Sequence, residues 1–586
     1  MKRIVIIILT LFLTGSLFFL PSCSEEFLDT QPKGTAGGEV MATPEGVEAL
    51  LIGAYDYVNG GDWRGGGITN WVWGSVASDD CHKGESQSHP VPLVNIEKYN
   101  VLPTNQDVET KWRSWYDAVA RTNDVLSFLD KTQKTANKIA ESRATEIEAE
   151  SKFLRALYHF ELTRVFENIS YIMTKNEMDG KDPAQIPNDD PGWEEIESDL
   201  KFAIDYLPGA PPKGEVGRAD RYAAMAVKAR VHLFQNEFSQ AKTLLDSIIN
   251  SGQFELVDDY WDNYKISTEN NKESIFEVQC NVGQGSRLTG LEIMGPGFHQ
   301  RGINVTGWGF FQPSQNLFEA FQVTSEGLPV FDPEDRDPLV TDYGVETAEE
   351  FIPTDHLLDP RVDHTIARRG IPFLDWGIHR GKDWIRSQAS EGPYMTKKYM
   401  HTAQNQEDGL THPNGFKNAK NFRLYRYAHV LLWRAEVAVE EQELDYARQL
   451  VNMVRERAKG DYVMGKCETY TFDGREIVVN EDEPAANYLI ETYPSGAEAF
   501  SSQENARKAV YLEHRLEFAT EGLRFFQLRR WGIADEKLNY FLQNDWEYHP
   551  ILEGASYDPE EDDYWPIPQS QIDIQEGVLT QDPAFE

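Results

Sequence analysis

The chain is 586 residues long, 40% hydrophobic, 12% aromatic and 26% charged, which is enough to bury a large core. Its formal charge of −40 argues against a nucleic-acid partner, because such binding depends on cationic contacts to phosphate. After residue 20 no apolar run approaches the roughly 20 residues that a membrane-spanning helix needs. The remainder is therefore expected to be water-soluble.

The first element is a leader. Lys2 and Arg3 precede the mostly apolar stretch Ile4 to Leu20, and "LPSCSEEFLD" follows. A basic start, a short apolar run and a small residue before a cysteine form an export signal. The pattern resembles a bacterial lipoprotein signal, with residues 1–22 removed and Cys23 lipidated. The alternative is an ordinary secretory signal that ends by chance at a cysteine. Each buried lipid methylene contributes about 0.8 kcal/mol, so several chains would tether the protein to a membrane without threading it through.

Helical patterning follows. "TPEGVEALLIGAYDYV" from Thr43 has an N-cap residue, proline at the first helical position and apolar residues at helical spacing. "QDVETKWRSWYDAVARTNDVLSFLD" is a second helix, and Ala144 to Phe166 a third. Asp190-Pro191-Gly192 opens another, which ends at the prolines after Leu207. Asp220 to Gly252 contains two helices joined near Gln235 to Phe238, with Ala229, Phe234, Phe238 and Ala241 spaced for close packing. This segment resembles a tetratricopeptide-type hairpin. Tyr425 to Ala458 has the same form, with a turn near Glu441 to Asp445. Between them, Gly252 to Asn421 is rich in Gly, Pro, Asn and aromatics, with short strand-like pieces such as "ESIFEVQC". Loops this long are usually functional.

Cys81, Cys280 and Cys467 are far apart and lack zinc spacing, so buried thiols are expected and no cofactor is implied. One disulfide with one thiol left over stays open.

Catalytic signatures are weak. "GIHRGK" is one residue short of a phosphate loop, and Asp383 follows where Ser or Thr should bind magnesium. "DPEDRD" lacks the sixth-place glycine of a calcium loop and reads as a solvated turn. Asp79-Asp80, just after Trp71 and Trp73, is the most suggestive carboxylate pair for a glycan hydrolase. Core packing is the alternative for those two tryptophans.

Aromatics beside polar groups are more informative. Trp63 lies between Asp62 and Arg64, Trp308 lies in "TGWGFF", and Trp376 and Trp384 bracket "GIHRGKD". An indole face suits the C–H face of a sugar ring, and neighbouring polar groups suit its hydroxyls. The candidate ligand-binding set is Trp63, Asp79, Asp80, Lys83, Trp308, Trp376, Arg380 and Trp384.

The whole chain after the leader resembles the SusD/RagB family. The likeness is carried by "CSEEFLDTQPKGT", "AESKFLRALYHFELTRVFENISYI", "WGFFQPSQNLFEAF" and "DPRVDHTIARRGIPF". It continues through "NFRLYRYAHVLLWRAEVAVE", the late helix "EHRLEFATEGLRFFQLRRWG" and "DYWPIPQSQIDIQEGVLTQDPAF". The resemblance implies a mainly α fold, with tetratricopeptide-like helix pairs and an irregular loop-rich binding region with short strands. It divides the mature chain into a helical region at 23–252, a loop- and aromatic-rich ligand-binding region at 253–421 and a C-terminal helical region at 422–586. It implies a lipid-anchored, surface-exposed outer-membrane protein that is not an enzyme. Such a protein would capture oligo- or polysaccharide and deliver it to a SusC-like TonB-dependent transporter. Peptide capture and a surface glycan hydrolase are the alternatives. In this family the acidic Ser24-Glu25-Glu26 after the cysteine favours display on the outer leaflet; a plain acidic tether is the alternative.

Overall fold

The computed structural model describes residues 41–60, 64–86, 89–283, 308–411 and 419–586. The leader, Cys23 and Trp63 lie outside them. No helix among the described residues is long and apolar enough to cross a membrane.

The chain is mainly α-helical. α1 (Pro44–Tyr55) begins where Thr43 Oγ1 accepts a hydrogen bond from the Gly46 amide at 3.1 Å, with Pro44 at its first position. After α2 (Val91–Glu97) come the long α3 (Gln106–Gln133) and α4 (Glu141–Phe166), which pack on each other. α5 (Trp193–Tyr206) leads into the hairpin of α6 (Arg221–Phe234) and α7 (Phe238–Asn250). The short α8 (Gln315–Ala320) is followed by a second hairpin, α9 (Tyr427–Glu440) and α10 (Leu444–Ala458). Asn236 and Gln442 take left-handed φ of 57° and 62° in the two hairpin turns. α7 packs against α9, so two similar units far apart in sequence become neighbours.

The late motif expected as one helix is two: α11 (Gln503–Phe518) and α12 (Arg524–Arg530), followed by α13 (Ala534–Asn544). Thr520 and Gly522 are left-handed between them, which ends the first helix. A Cβ on Gly522 would lie 1.9 Å from the Thr69 carbonyl oxygen, and one on Gly74 would lie 1.9 Å from that of Gly522. The break lets this turn press onto the π-helical turn Trp71–Val76.

Strands are short and antiparallel. β1 (Cys81–Gly84) pairs with β3 (Phe310–Pro313), with Gly84 opposite Phe310. β2 (Ser274–Val278) pairs with β6 (Phe422–Arg426), and β4 (Ile366–Ala367) with β5 (Met395–Thr396). β7 (Met464–Cys467) pairs with β8 (Val479–Pro484). No disulfide links Cys81, Cys280 and Cys467; Cys81 and Cys467 are buried, and Cys280 is half-buried.

One large apolar core draws on both helical parts, from Val47 and Phe153 to Leu431, Phe525 and Trp565. Trp71 and Trp73 belong to it. A buried charge network joins β6, the loop region and α11. Glu517 pairs with Arg426 at 2.5 Å, with Arg361 at 3.0 Å and with Arg457. Glu513 pairs with Arg361 at 2.7 Å and Arg455 at 3.0 Å, and Glu521 with Lys398 at 2.8 Å. Buried ions of this kind persist only when paired.

Candidate functional site

The sequence-derived residues divide into interior and loop-face groups. Asp79 and Asp80 are buried. Arg524 grips Asp79 with two hydrogen bonds, at 2.8 and 2.9 Å, and Arg515 donates to Asp80 at 2.9 Å. Burial raises the Asp79 carboxyl, but the Arg515 and Arg524 guanidiniums outweigh it and hold the group well below the usual carboxylate range. Lys83 is buried too, and its ammonium donates to the carbonyls of Gly84 at 2.8 Å, His89 at 3.3 Å and Ser86. Trp384 is buried in a small core with Phe373, Met395 and Met400, and half-buried Trp376 packs against the same core. The Trp376 indole N–H donates to the His401 carbonyl at 2.9 Å. Arg380 is half-buried beside the buried His379.

Trp308 is different: it is 37% exposed. It lies two residues before β3, at the strand end that meets Gly84. The Arg386 guanidinium lies 5.4 Å from its ring centroid and donates to the Trp308 carbonyl at 3.2 Å. Arg386 also pairs with Glu85 at 2.7 Å. Glu85 continues β1 with φ of 67° and takes its amide bond to the Gly309 carbonyl at 2.8 Å. The largely exposed His89 lies 3.5 Å from the other Glu85 oxygen. Two loops are thus tied by one guanidinium that also fixes the indole plane.

A second aromatic pair continues this region. Tyr343 and Tyr548 meet edge to face, with centroids 5.9 Å apart and planes at 89°. The Gly344 amide donates to Gln388 at 3.1 Å, which connects the Tyr343 loop to the segment after Arg386. Glu85, Arg386, Tyr343 and Tyr548 were not singled out in the sequence. The signal available for Arg386 was its position two residues after Trp384 in a Gly-rich aromatic loop.

A cleft of about 530 Å³ opens along α11 and α13, away from Trp308, with Asp79, Arg515 and Arg524 in its lining. Several of its charges are paired, Arg507 with Glu440 at 2.6 Å and Lys508 with Asp332 at 2.9 Å, whereas Arg336 donates to the Val330 and Phe331 carbonyls.

The architecture is an α-helical hairpin scaffold that carries a loop-built face of aromatic and charged side chains. The chain belongs to the SusD family, whose profile matches residues 272–585. A second profile, described as "Starch-binding associating with outer membrane", matches residues 26–233. A SusD-like protein of Bacteroides ovatus is 20% identical over 331 residues, covering 53% of this chain and 56% of that protein. SusD-like protein P38 of Formosa agariphila is 24% identical over 556 residues, covering 92% of this chain and 93% of that protein. Surface glycan-binding protein A from Bacteroides thetaiotaomicron, solved with laminarihexaose, superposes with a TM-score of 0.63 at 20% identity. That match covers 92% of this chain and 99% of that one. At this identity the structural likeness shows the fold.

Proposed function

We propose that this protein captures a glycan at the cell surface and passes it to a TonB-dependent transporter. It would be held on the outer membrane by lipid on Cys23. The family membership, the outer-membrane description of the matched profile and a neighbour solved with a glucan oligosaccharide support this reading. The observation that carries it is Trp308, a part-exposed indole held in plane by Arg386. A sugar ring stacks its C–H face on such an indole, and the flanking charges take its hydroxyls.

Trp308 is the stacking residue in this proposal, with Trp376, Arg380 and Trp63 as further contacts. Asp79, Asp80, Lys83 and Trp384 act through the scaffold. With Asp79 and Asp80 both engaged by arginine, binding without bond cleavage is the reading we favour over a hydrolase.

The test is binding of the purified protein to a panel of plant, host and microbial glycans, with peptides as controls and products analysed after incubation. Retention of one polysaccharide class, recovered intact, is expected. Binding of peptides alone would replace glycan with peptide in the proposal, and release of shorter sugars would overturn it. Isolation of the tagged protein from its native membrane should bring a TonB-dependent barrel with it.

A further inference from the structure

Four ionisable side chains from separate segments meet in the interior. They are His82 of β1, Glu97 at the end of α2, and Asp545 and His549 after α13. All four are buried. His82 Nε2 is hydrogen-bonded with Asp545 Oδ2 at 2.8 Å, and His82 Nδ1 lies 3.1 Å from Glu97 Oε1. His549 stacks on His82 with centroids 4.0 Å apart and planes at 26°. Its Nε2 is 3.1 Å from the same Glu97 oxygen but lacks the alignment of a hydrogen bond. His549 Nδ1 and Glu97 Oε2 are buried and have no hydrogen-bond partner.

This arrangement is incomplete as it stands. A neutral histidine that gives its Nε2 proton to Asp545 turns the Nδ1 lone pair toward a carboxylate oxygen, whereas the imidazolium donates to both carboxylates. Two acceptors at 3.1 Å need a positive centre between them. One proton serves His82 and Glu97, and a neutral His549 can turn its own Nε2–H toward the same oxygen, but the pair is out of line for a hydrogen bond and His549 Nδ1 is left without a partner. Two buried carboxylates also need compensating charge, of which a protonated His82 between them supplies one. Among the described residues no lysine or arginine side chain forms an ion pair with Glu97 or Asp545; the Lys83 main-chain amide donates to Glu97 Oε1 at 3.3 Å.

We propose that His82 Nδ1, His549 Nε2 and Glu97 bind one divalent cation of the zinc type. These donor atoms all lie within 4.8 Å of one another. Donors around a tetrahedral zinc, at bond lengths of about 2.0–2.2 Å, are separated by roughly 3.3–3.6 Å. The two 3.1 Å separations at Glu97 Oε1 are close to that spacing. Two imidazoles with one carboxylate suit zinc and its first-row neighbours, whereas calcium and magnesium take oxygen donors. Asp545 behind His82 is the outer carboxylate that fixes the tautomer of a metal-bound imidazole. The ion would clamp β1, α2 and the segment after α13. Tyr548, which meets Tyr343 on the loop face, is the residue before His549.

The test uses the full chain purified, without a chelating column, from cells grown with added zinc. Metal is measured by plasma mass spectrometry. One zinc per chain is expected, and under about a tenth of that in His549→Phe, which keeps the ring stack but removes the donor. Chelator should lower the melting temperature of the wild type and leave that of His549→Phe unchanged. Should that variant fold poorly, wild-type protein from cobalt-grown cells supplies the second measurement, with visible d–d bands expected. Wild-type protein with no zinc above the variant, or without cobalt bands, would overturn the proposal and leave a proton between His82 and Glu97.

Discussion

The charge network around Glu517 and the loop face around Trp308 use the same residue types in opposite ways. In the network, arginines and glutamates are buried, multiply paired and held by helices and strands. On the loop face a single arginine, Arg386, ties residues 85 and 308 together, and an indole stays part-exposed. Burial makes charge expensive unless each ion has partners, so the network tolerates little change. Exposure makes each contact on the face cheaper and more replaceable. The difference teaches that the abundant Asp, Glu and Arg near the tryptophans divide by burial rather than by residue type.

The largest expected effect tests the network. Glu517→Gln leaves Arg361, Arg426 and Arg457 short of a buried countercharge, and breaking a buried pair costs roughly 3–5 kcal/mol. Urea unfolding should show this loss, while glycan affinity of the folded variant stays near wild type. A loss under about 1 kcal/mol, the range of surface pairs, would mean the network does not tie the scaffold.

The next effect is a pH dependence. Burial alone would raise the Glu521 carboxyl, but Arg426 and Lys398 hold it down, from the ordinary 4.5 to about 2. A depressed carboxylate contributes stability that is fully present above pH 4.5 and is lost as the pH falls through 2. The shift corresponds to roughly 3 kcal/mol. Urea midpoints taken between about pH 5 and pH 2.5 should fall for the wild type. They should fall less steeply for Glu521→Gln, and parallel curves would show that the network does not depress this group.

The two regions were also unequally legible in the sequence. The helices and both hairpins were readable from apolar spacing and caps such as Thr43 and Pro44. The motifs "DPRVDH", "NFRLYRYAH" and "EHRLEF", read as family resemblance, contain Arg361, Arg426, Glu513 and Glu517, which are charges of the network. Glu513 and Glu517 are one helical turn apart on α11, so local spacing records their shared partner. The break at Gly522 was hidden, because its cause is the close approach of Thr69, distant in sequence. The loop face was hidden for the same reason: Glu85, Arg386, Tyr343 and Tyr548 converge only in three dimensions. Asp79 and Asp80 looked like ligand groups because the sequence does not display Arg515 and Arg524 beside them.

Trp308→Ala sharpens the other side of the comparison. It should cost about 1–3 kcal/mol of glycan binding, by analogy with base stacking on aromatics. Folding stability should change by only about 0.5 kcal/mol, as for a surface site. Isothermal titration with the glycan found by panel, paired with urea unfolding, separates the two. Equal binding by the variant would remove Trp308 from the site.

Arg386→Lys gives the smallest and most specific effect. The substitution keeps the positive charge near Glu85 but removes the planar fork that reaches Glu85, the Trp308 carbonyl and the ring face together. If Arg386 acts by holding the indole in plane, the lysine variant should lose about 0.5–1 kcal/mol of affinity, the range of an exposed cation–π contact. If Arg386 instead binds glycan hydroxyls directly, the double variant decides. With Trp308→Ala already in place, an orienting arginine has nothing left to orient, so adding Arg386→Lys should cost nothing further. A second, additive loss would move Arg386 from a positioning role into direct contact with the ligand.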